Sequence, residues 1–414
     1  MRSVAFTLPG LVVTQHEVDV PLDHASPGDE TITVFAREVA DPDGRDRPFL
    51  VFLQGGPGFE APRPSRSPGA PAWLDRALED FRVLMLDQRG TGRSTPLGAA
   101  ALAGLTPQEQ ADRLARFRAD AIVRDAEAVR EALAVERWSV LGQSFGGLCA
   151  VTYLSTAPQA LREVLIAGGL PPLGPRIDEA YRETFRLTLE RNRRYYERFP
   201  GDRERVRELV ARLEAEDVRL PTGDRLTHRR LRLLGNLLGM LGGEAQLHHL
   251  LELPGDSSGF LHDVAAASPF ARNPLYAIVH EACWADGGRT RWAAQRLLPE
   301  AYAREPELLT GERVFPWMFE DFAELAPLRE AAELLAEREW PRLYEPERLA
   351  ANEVPAAAVV YADDPYVPRR FSEETAGQIR GLRVWITNEL EHNGLRTDGA
   401  RVLGRLLDLA RGRA

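Results

Sequence analysis

The chain has 414 residues, with 52 basic and 62 acidic side chains and a formal net charge of −10. A negative balance argues against nucleic acid as a partner, because binding a phosphate backbone needs a positive excess. Every basic residue is arginine and the chain holds no lysine, which excludes a lysine Schiff base, a pyridoxal-phosphate anchor and a phosphate-loop lysine.

At 44% hydrophobic the sequence can fill a large core, and its length suits one large domain with an insertion or two ordinary domains. The two cysteines, Cys149 and Cys283, are too few for a disulfide framework or a thiolate zinc site, and are expected to be reduced thiols. The opening MRSVAFTLPGLVVTQHEVDVP lacks a charged segment followed by an apolar one, and no run approaches about 18 apolar residues. A soluble, cytoplasmic protein without membrane attachment is expected.

In chain order, residues 11–20 and 31–39 alternate apolar with polar around the turn-rich HASPGDE, which predicts an antiparallel pair. From Phe49 the pattern changes to short, nearly continuous apolar runs, FLVFLQ, RVLMLD, WSVLG and EVLIAGG, each ending in a glycine-rich or charged loop. Such runs suit strands buried on both faces of a parallel sheet. The segment EAPRPSRSPGAP at 60–71 reads as a mobile proline-rich loop. Residues 106–134 place Leu114, Phe117, Ala121, Ile122, Ala126, Val129 and Leu133 at helical spacing, as a crossover helix should.

After PPLGP at 171–175 the sequence turns arginine- and glutamate-rich and helical, with no convincing strand until PAAAVVYADD at 355–364. A last strand, LRVWIT at 382–387, leads through NELEHNGLR to a terminal helix. The predicted class is α/β with a mostly parallel sheet, built from residues 1–170 and 341–414, and with residues 171–340 as a large inserted helical unit. RNRRYYER and HRRLRLL read as helix faces rather than nucleic-acid sites.

The sharpest local signal is Gly142-Gln143-Ser144-Phe145-Gly146-Gly147, set between WSVL and the helix-compatible LCAVTYLS. A serine on a strained strand-to-helix turn needs small flanking residues to project its hydroxyl, which describes a nucleophile elbow. Such a serine requires a base, and the base a carboxylate, in the order serine, acid, histidine. Asp363 and Asp364 both follow AAAVVYA; Asp364 is favoured and Asp363 held in reserve. His392 follows the last strand, whereas His16 and His24 precede the sheet and the remaining histidines fall in the insertion. Oxyanion donors are expected from the amides of Phe145 and, in Gln54-Gly55-Gly56-Pro57-Gly58, Gly56. Arg89 and Arg93, in DQRGTGRS, read as braces of their loop rather than substrate ligands.

The order GGPG, DQRGTGRS, GQSFGG, DDPYVP and EHNGLR resembles the proline iminopeptidases, or prolyl aminopeptidases, of the α/β-hydrolase superfamily. The likeness spans nearly the whole chain and is nearest to a longer bacterial form, to which HEACWADGG and FPWMFEDF are also similar. It implies a serine exopeptidase that releases N-terminal proline from short peptides, with Ser144 as nucleophile, His392 as base, Asp364 as its orienting acid, the insertion as a cap, and no cofactor. Gln54 stands where short forms of the family carry histidine, which bears on specificity.

The resemblance implies cap carboxylates for the charged substrate terminus. Glu281 in HEACW matches the amine-binding segment, and Glu320 and Glu312 are candidates for a second acid. Gly55 and Trp284 are further substrate-binding candidates, while Phe145, Phe315, Trp317 and Phe319 are available as pocket walls or cap core. No metal is implied: Trp284 stands where a zinc-protease motif needs its second histidine, and the adjacent His248 and His249 point about 100° apart on a helix. The rival readings are a tripeptidyl aminopeptidase, a carboxylesterase, and a catalytically silent binding module. An epoxide hydrolase or dehalogenase is disfavoured because it would carry aspartate at the elbow. Oligomeric state is left open.

Overall fold

The computed structural model describes residues 1–414. Nine strands, β1 (Arg2–Leu8), β2 (Leu11–Pro21), β3 (Thr31–Ala40), β4 (Phe49–Leu53), β5 (Arg82–Asp87), β6 (Trp138–Gln143), β7 (Leu161–Ala167), β8 (Ala356–Tyr361) and β9 (Leu382–Thr387), form one sheet. Their order is β1-β2-β3-β5-β4-β6-β7-β8-β9. The alternating segments pair antiparallel, with Val13 opposite Val39 and β3 against β5, whereas every pairing from β5 to β9 is parallel. Every residue of β4, β6 and β8 is buried, which is why those strands read as unbroken apolar runs.

Strand β1 had no counterpart in the sequence reading. It pairs with β2 at the sheet edge from Arg2 opposite Glu17 to Leu8 opposite Leu11, yet Val4 and Phe6 stay exposed. Only Leu8 at its end packs on a core, so the strand lacks the burial asymmetry that marks its neighbours.

The expected single crossover helix is two helices, Pro107–Leu114 and Ala119–Ala132. The first starts in a capping box between Thr106 and Glu109. The break falls where Arg118 takes an extended backbone. Its guanidinium is thereby buried, with Nη2 donating to Ala285 O at 2.8 Å and the group lying 4.6 Å above the Trp340 ring.

Between β7 and β8 the chain is helical, with Ile177–Arg198 as the longest element, and β7 and β8 are nevertheless neighbours in the sheet. The excursion therefore leaves and re-enters the sheet at one point. One core cluster joins the sheet face and the elbow helix Phe145–Thr156 to inserted residues such as Phe185, Phe315 and Trp340. A second packs the C-terminal helix Gly399–Ala410 on the opposite face, and a third, including Tyr195, Leu231 and Phe260, lies wholly within the insertion. Part of the insertion thus shares the sheet's core and part keeps its own. No helix is long and apolar enough to cross a membrane.

The parallel strands end on one side, and the loops after β4, β6, β8 and β9 carry the residues singled out above. Open α/β sheets place ligands outside the carboxyl ends of their strands.

Candidate active site

Ser144 sits between β6 and the elbow helix with φ 53° and ψ −121°. A side chain in this sparsely populated region is held only by surroundings that over-determine it. Those surroundings are glycine-dependent: a Cβ on Gly146 would lie 1.9 Å from the Leu53 carbonyl oxygen. Elbow helix and β4 therefore touch backbone to backbone, leaving the serine to project over the strand ends.

The two other chemical groups arrive from the loops after β8 and β9. His392 Nε2 lies 2.9 Å from Ser144 Oγ, and its Nδ1 lies 2.7 Å from Asp364 Oδ2. The other oxygen of Asp364 accepts from the amides of Tyr366 at 2.8 Å and Val367 at 3.0 Å, which fixes the carboxylate. Burial opposes a charge on His392, but Asp364 outweighs it and holds the imidazole pKa above its ordinary value. Asp363, the reserve acid, instead pairs with Arg194 at 3.0 Å on the surface. A hydroxyl, an imidazole and a buried carboxylate in this order can make a serine nucleophilic.

Gly56 and Phe145 both flank Ser144 in a small pocket. Neither backbone N–H has a protein acceptor; Phe145 opens its helix, where no intrahelical partner exists. Gly56 has φ +133°, and a Cβ there would meet the Phe59 ring at 2.6 Å, so only glycine fits. Two free amides beside a serine hydroxyl are suited to a developing oxyanion.

Two cavities meet at Ser144. The larger, about 670 Å³, includes Gln54, Gly55, His392, Asn393 and Arg396. The proline-rich loop expected to be mobile forms one of its walls through Pro62 and Pro68–Trp73. That loop is tied down by the Ala61 amide donating to Asp87 Oδ1 at 3.2 Å and by Arg66 pairing with Asp41 and Asp75. The smaller, about 20 Å³, is walled by Phe145, Leu148, Cys283, Trp284, Tyr366 and Val367. His392 lines only the larger one.

The structure separates the three acidic candidates of the insertion. Glu312 lines both cavities, accepts a hydrogen bond from Tyr276 Oη and lies 4.0 Å from His280 Nε2. Burial alone would raise its pKa, but His280, Tyr276 and His392 together hold it below the ordinary carboxylate value. Glu281 lines neither cavity. Its Oε1 accepts from the Ala294 amide at 2.9 Å, its Oε2 has no partner, and burial pushes its pKa up to about 7. Glu320 lies outside both cavities, paired with Arg329 at 3.0 Å and 45% exposed. Of the three, only Glu312 lines the cavities beside Ser144; Glu281 is turned onto the Ala294 amide and Glu320 onto Arg329.

Trp284 and Gly55 line the site as expected, whereas Phe315, Trp317 and Phe319 do not; Phe315 and Trp317 stack on each other, 5.7 Å apart. Arg89 is buried and doubly bonded to Asp125, at 2.6 and 2.5 Å, and Arg93 pairs with Glu17 at 2.8 Å, so both brace loops. The nearest approach to a metal-binding group is His248, His249 and Glu252, whose ligand atoms lie within 4.8 Å of one another. Adjacent histidines do come together here, with His249 and Glu252 exposed, but none of the three lines either cavity.

A family model described as the alpha/beta hydrolase fold matches residues 48–213. A curated proline iminopeptidase of Aeromonas sobria is 49% identical over 98% of both chains. The chain belongs to the proline iminopeptidase family. A further proline iminopeptidase, from Aspergillus aculeatus, is 36% identical over 94% of this chain and 92% of its own.

In this member of the proline iminopeptidase family, two site residues escaped the sequence reading. Tyr366 packs 4.7 Å from the His392 ring, accepts from the Gly239 amide at 3.2 Å and donates to Asn236 O. His392 in turn donates its own amide to Gly239 O at 3.2 Å. The loop from the insertion is thus clamped onto the base and acid loops. Tyr366 lies inside DDPYVP, so its neighbourhood was visible though its contacts were not. Tyr276, which orients Glu312, carried no comparable signal.

Proposed function

We propose that the chain is a prolyl aminopeptidase, a serine hydrolase that releases N-terminal proline from short peptides, with residues 171–340 acting as its cap. The observation that carries the reading is the Glu312 carboxylate, held by Tyr276 at the junction of the two cavities beside Ser144. A substrate's terminal imino group is cationic at neutral pH and costly to bury unpaired; Glu312 supplies its partner. The names of the Aeromonas and Aspergillus relatives support the same activity.

His392 must return its proton to the leaving amine, so the leaving residue occupies the larger cavity that His392 lines. The proline ring then lies against Phe145 and Trp284, where the two cavities meet at Ser144. Ser144 attacks the proline carbonyl as His392 takes its proton, and the Gly56 and Phe145 amides receive the oxyanion. Collapse releases the shortened peptide, and water hydrolyses the acyl-enzyme by the reverse relay.

The test compares kcat/KM for a proline arylamide with that for its N-acetylated form. Strong preference for the free imino terminus, lost with Ser144→Ala, is expected. Equal cleavage of both forms would remove the role of Glu312 and move the assignment to an esterase or acyl-peptide hydrolase.

A further inference from the structure

The larger cavity contains one unpaired cation. Arg396, on the short helix Gly394–Thr397 that follows His392, lines this cavity. Its guanidinium makes no hydrogen bond, and no carboxylate oxygen comes within 4.0 Å of it. The other charged groups of the lining are engaged: Glu60 binds Arg272 at 2.5 Å, Glu312 accepts from Tyr276, and His392 lies between Asp364 and Ser144. Arg396 lines the same cavity as His392, the group that must protonate the leaving amine.

An exposed guanidinium that lines a cavity without a protein partner is suited to a planar anion, which it can grip through two parallel N–H donors. In a peptide cut after its first residue, the nearest such anion is the C-terminal carboxylate. One residue spans about 3.3–3.6 Å of extended chain, so in a dipeptide that carboxylate lies one residue beyond the amine that His392 protonates. Longer peptides present a neutral amide at the same place.

We propose that Arg396 forms a carboxylate-binding subsite for the leaving residue, so that the preferred substrates are Pro-Xaa dipeptides with a free C-terminus. This rests on the aminopeptidase reading, in which Glu312 holds the other end of the substrate. Glu312 and Arg396 then match the two opposite charges of a zwitterionic dipeptide across one cavity. A charged hydrogen bond of this kind gives a preference of about 10- to 100-fold.

The experiment measures kcat/KM for Pro-Leu and for Pro-Leu amide with wild-type protein, Arg396→Gln and Arg396→Lys. The expected result is an acid-to-amide ratio of about 10 to 100 in the wild type, collapse of that ratio in Arg396→Gln and partial recovery in Arg396→Lys. Equal cleavage of acid and amide by the wild type overturns the subsite while leaving the aminopeptidase reading intact. So does an equal fall on both substrates in Arg396→Gln, which would mark Arg396 as a support for Glu312 or His392. Failure to cleave either substrate overturns both readings.

Discussion

The two halves of the candidate site are built differently. On the sheet side, Ser144, Asp364, His392 and Gly56 sit on short loops at the ends of the parallel strands, which fix their place, and for Ser144 and Gly56 a glycine-dependent backbone marks them in the sequence. On the insertion side, Glu281, Glu312 and Glu320 are chemically identical and occur within one helical stretch, yet only Glu312 reaches Ser144. A site residue held by backbone constraint is legible from its neighbours in sequence, whereas one held by side-chain direction is not.

The sharpest way to break this contrast is to remove one group from each half. Ser144→Ala is expected to lower kcat by at least about 10⁴-fold, since a triad acts as a unit; substantial residual turnover would show that another group carries the chemistry. Asp364→Asn should cost about 10⁴ in kcat and also change the pH profile. His392 acts as a base only when neutral, and its pKa is raised above the ordinary 6.5 by Asp364. The acid limb of kcat/KM therefore lies above pH 6.5 in the wild type, with activity lost as pH falls through it. In the variant it should move to lower pH, and an unmoved limb would remove Asp364 as the cause.

On the insertion side, Glu312→Gln should lower kcat/KM for free-terminus proline substrates by about 30- to 1000-fold, the range for leaving a charge without its partner. Its effect should appear chiefly in KM. Similar losses from Glu320→Gln would erase the distinction among the acids.

The cysteines offer a finer comparison. Cys283 lines the small pocket, while Cys149 lies buried on the elbow helix behind it. Burial pushes both thiols well above their ordinary pKa, so thiolate is scarce and reaction slow. A bulky thiol reagent is expected to inactivate the protein slowly, with Cys283→Ala resistant and Cys149→Ala still sensitive. Full activity after verified modification of both thiols would rule this out.

The smallest effect concerns Glu281. Its carboxyl titrates near about 7 when folded, against an ordinary 4.5, so the folded state holds the additional proton between those values and stability falls as pH rises through that window. The loss amounts to at most about 3 kcal/mol. Glu281→Gln should flatten the slope in urea denaturation with little change in kcat/KM. A fall in substrate affinity comparable to that of Glu312→Gln would return Glu281 to the amine site.

The sequence by itself determined the α/β class, the buried parallel strands and the loops that end them. Continuous apolar runs can only be strands covered on both faces, and an elbow admits glycine alone where Gly146 meets the Leu53 carbonyl. It was silent on β1, of which only Leu8 meets a core, and on the break at Arg118, whose side chain reaches Ala285 and Trp340 far along the chain. Only the tertiary structure decided between Asp363 and Asp364, since both follow one strand and differ in which way the loop turns them. It alone singled out Glu312, and it alone left Arg396 without a partner inside the cavity. Glu312 lies in a bend between helices, where no periodicity marks a face, and whether it meets the nucleophile depends on how the insertion packs back over the sheet.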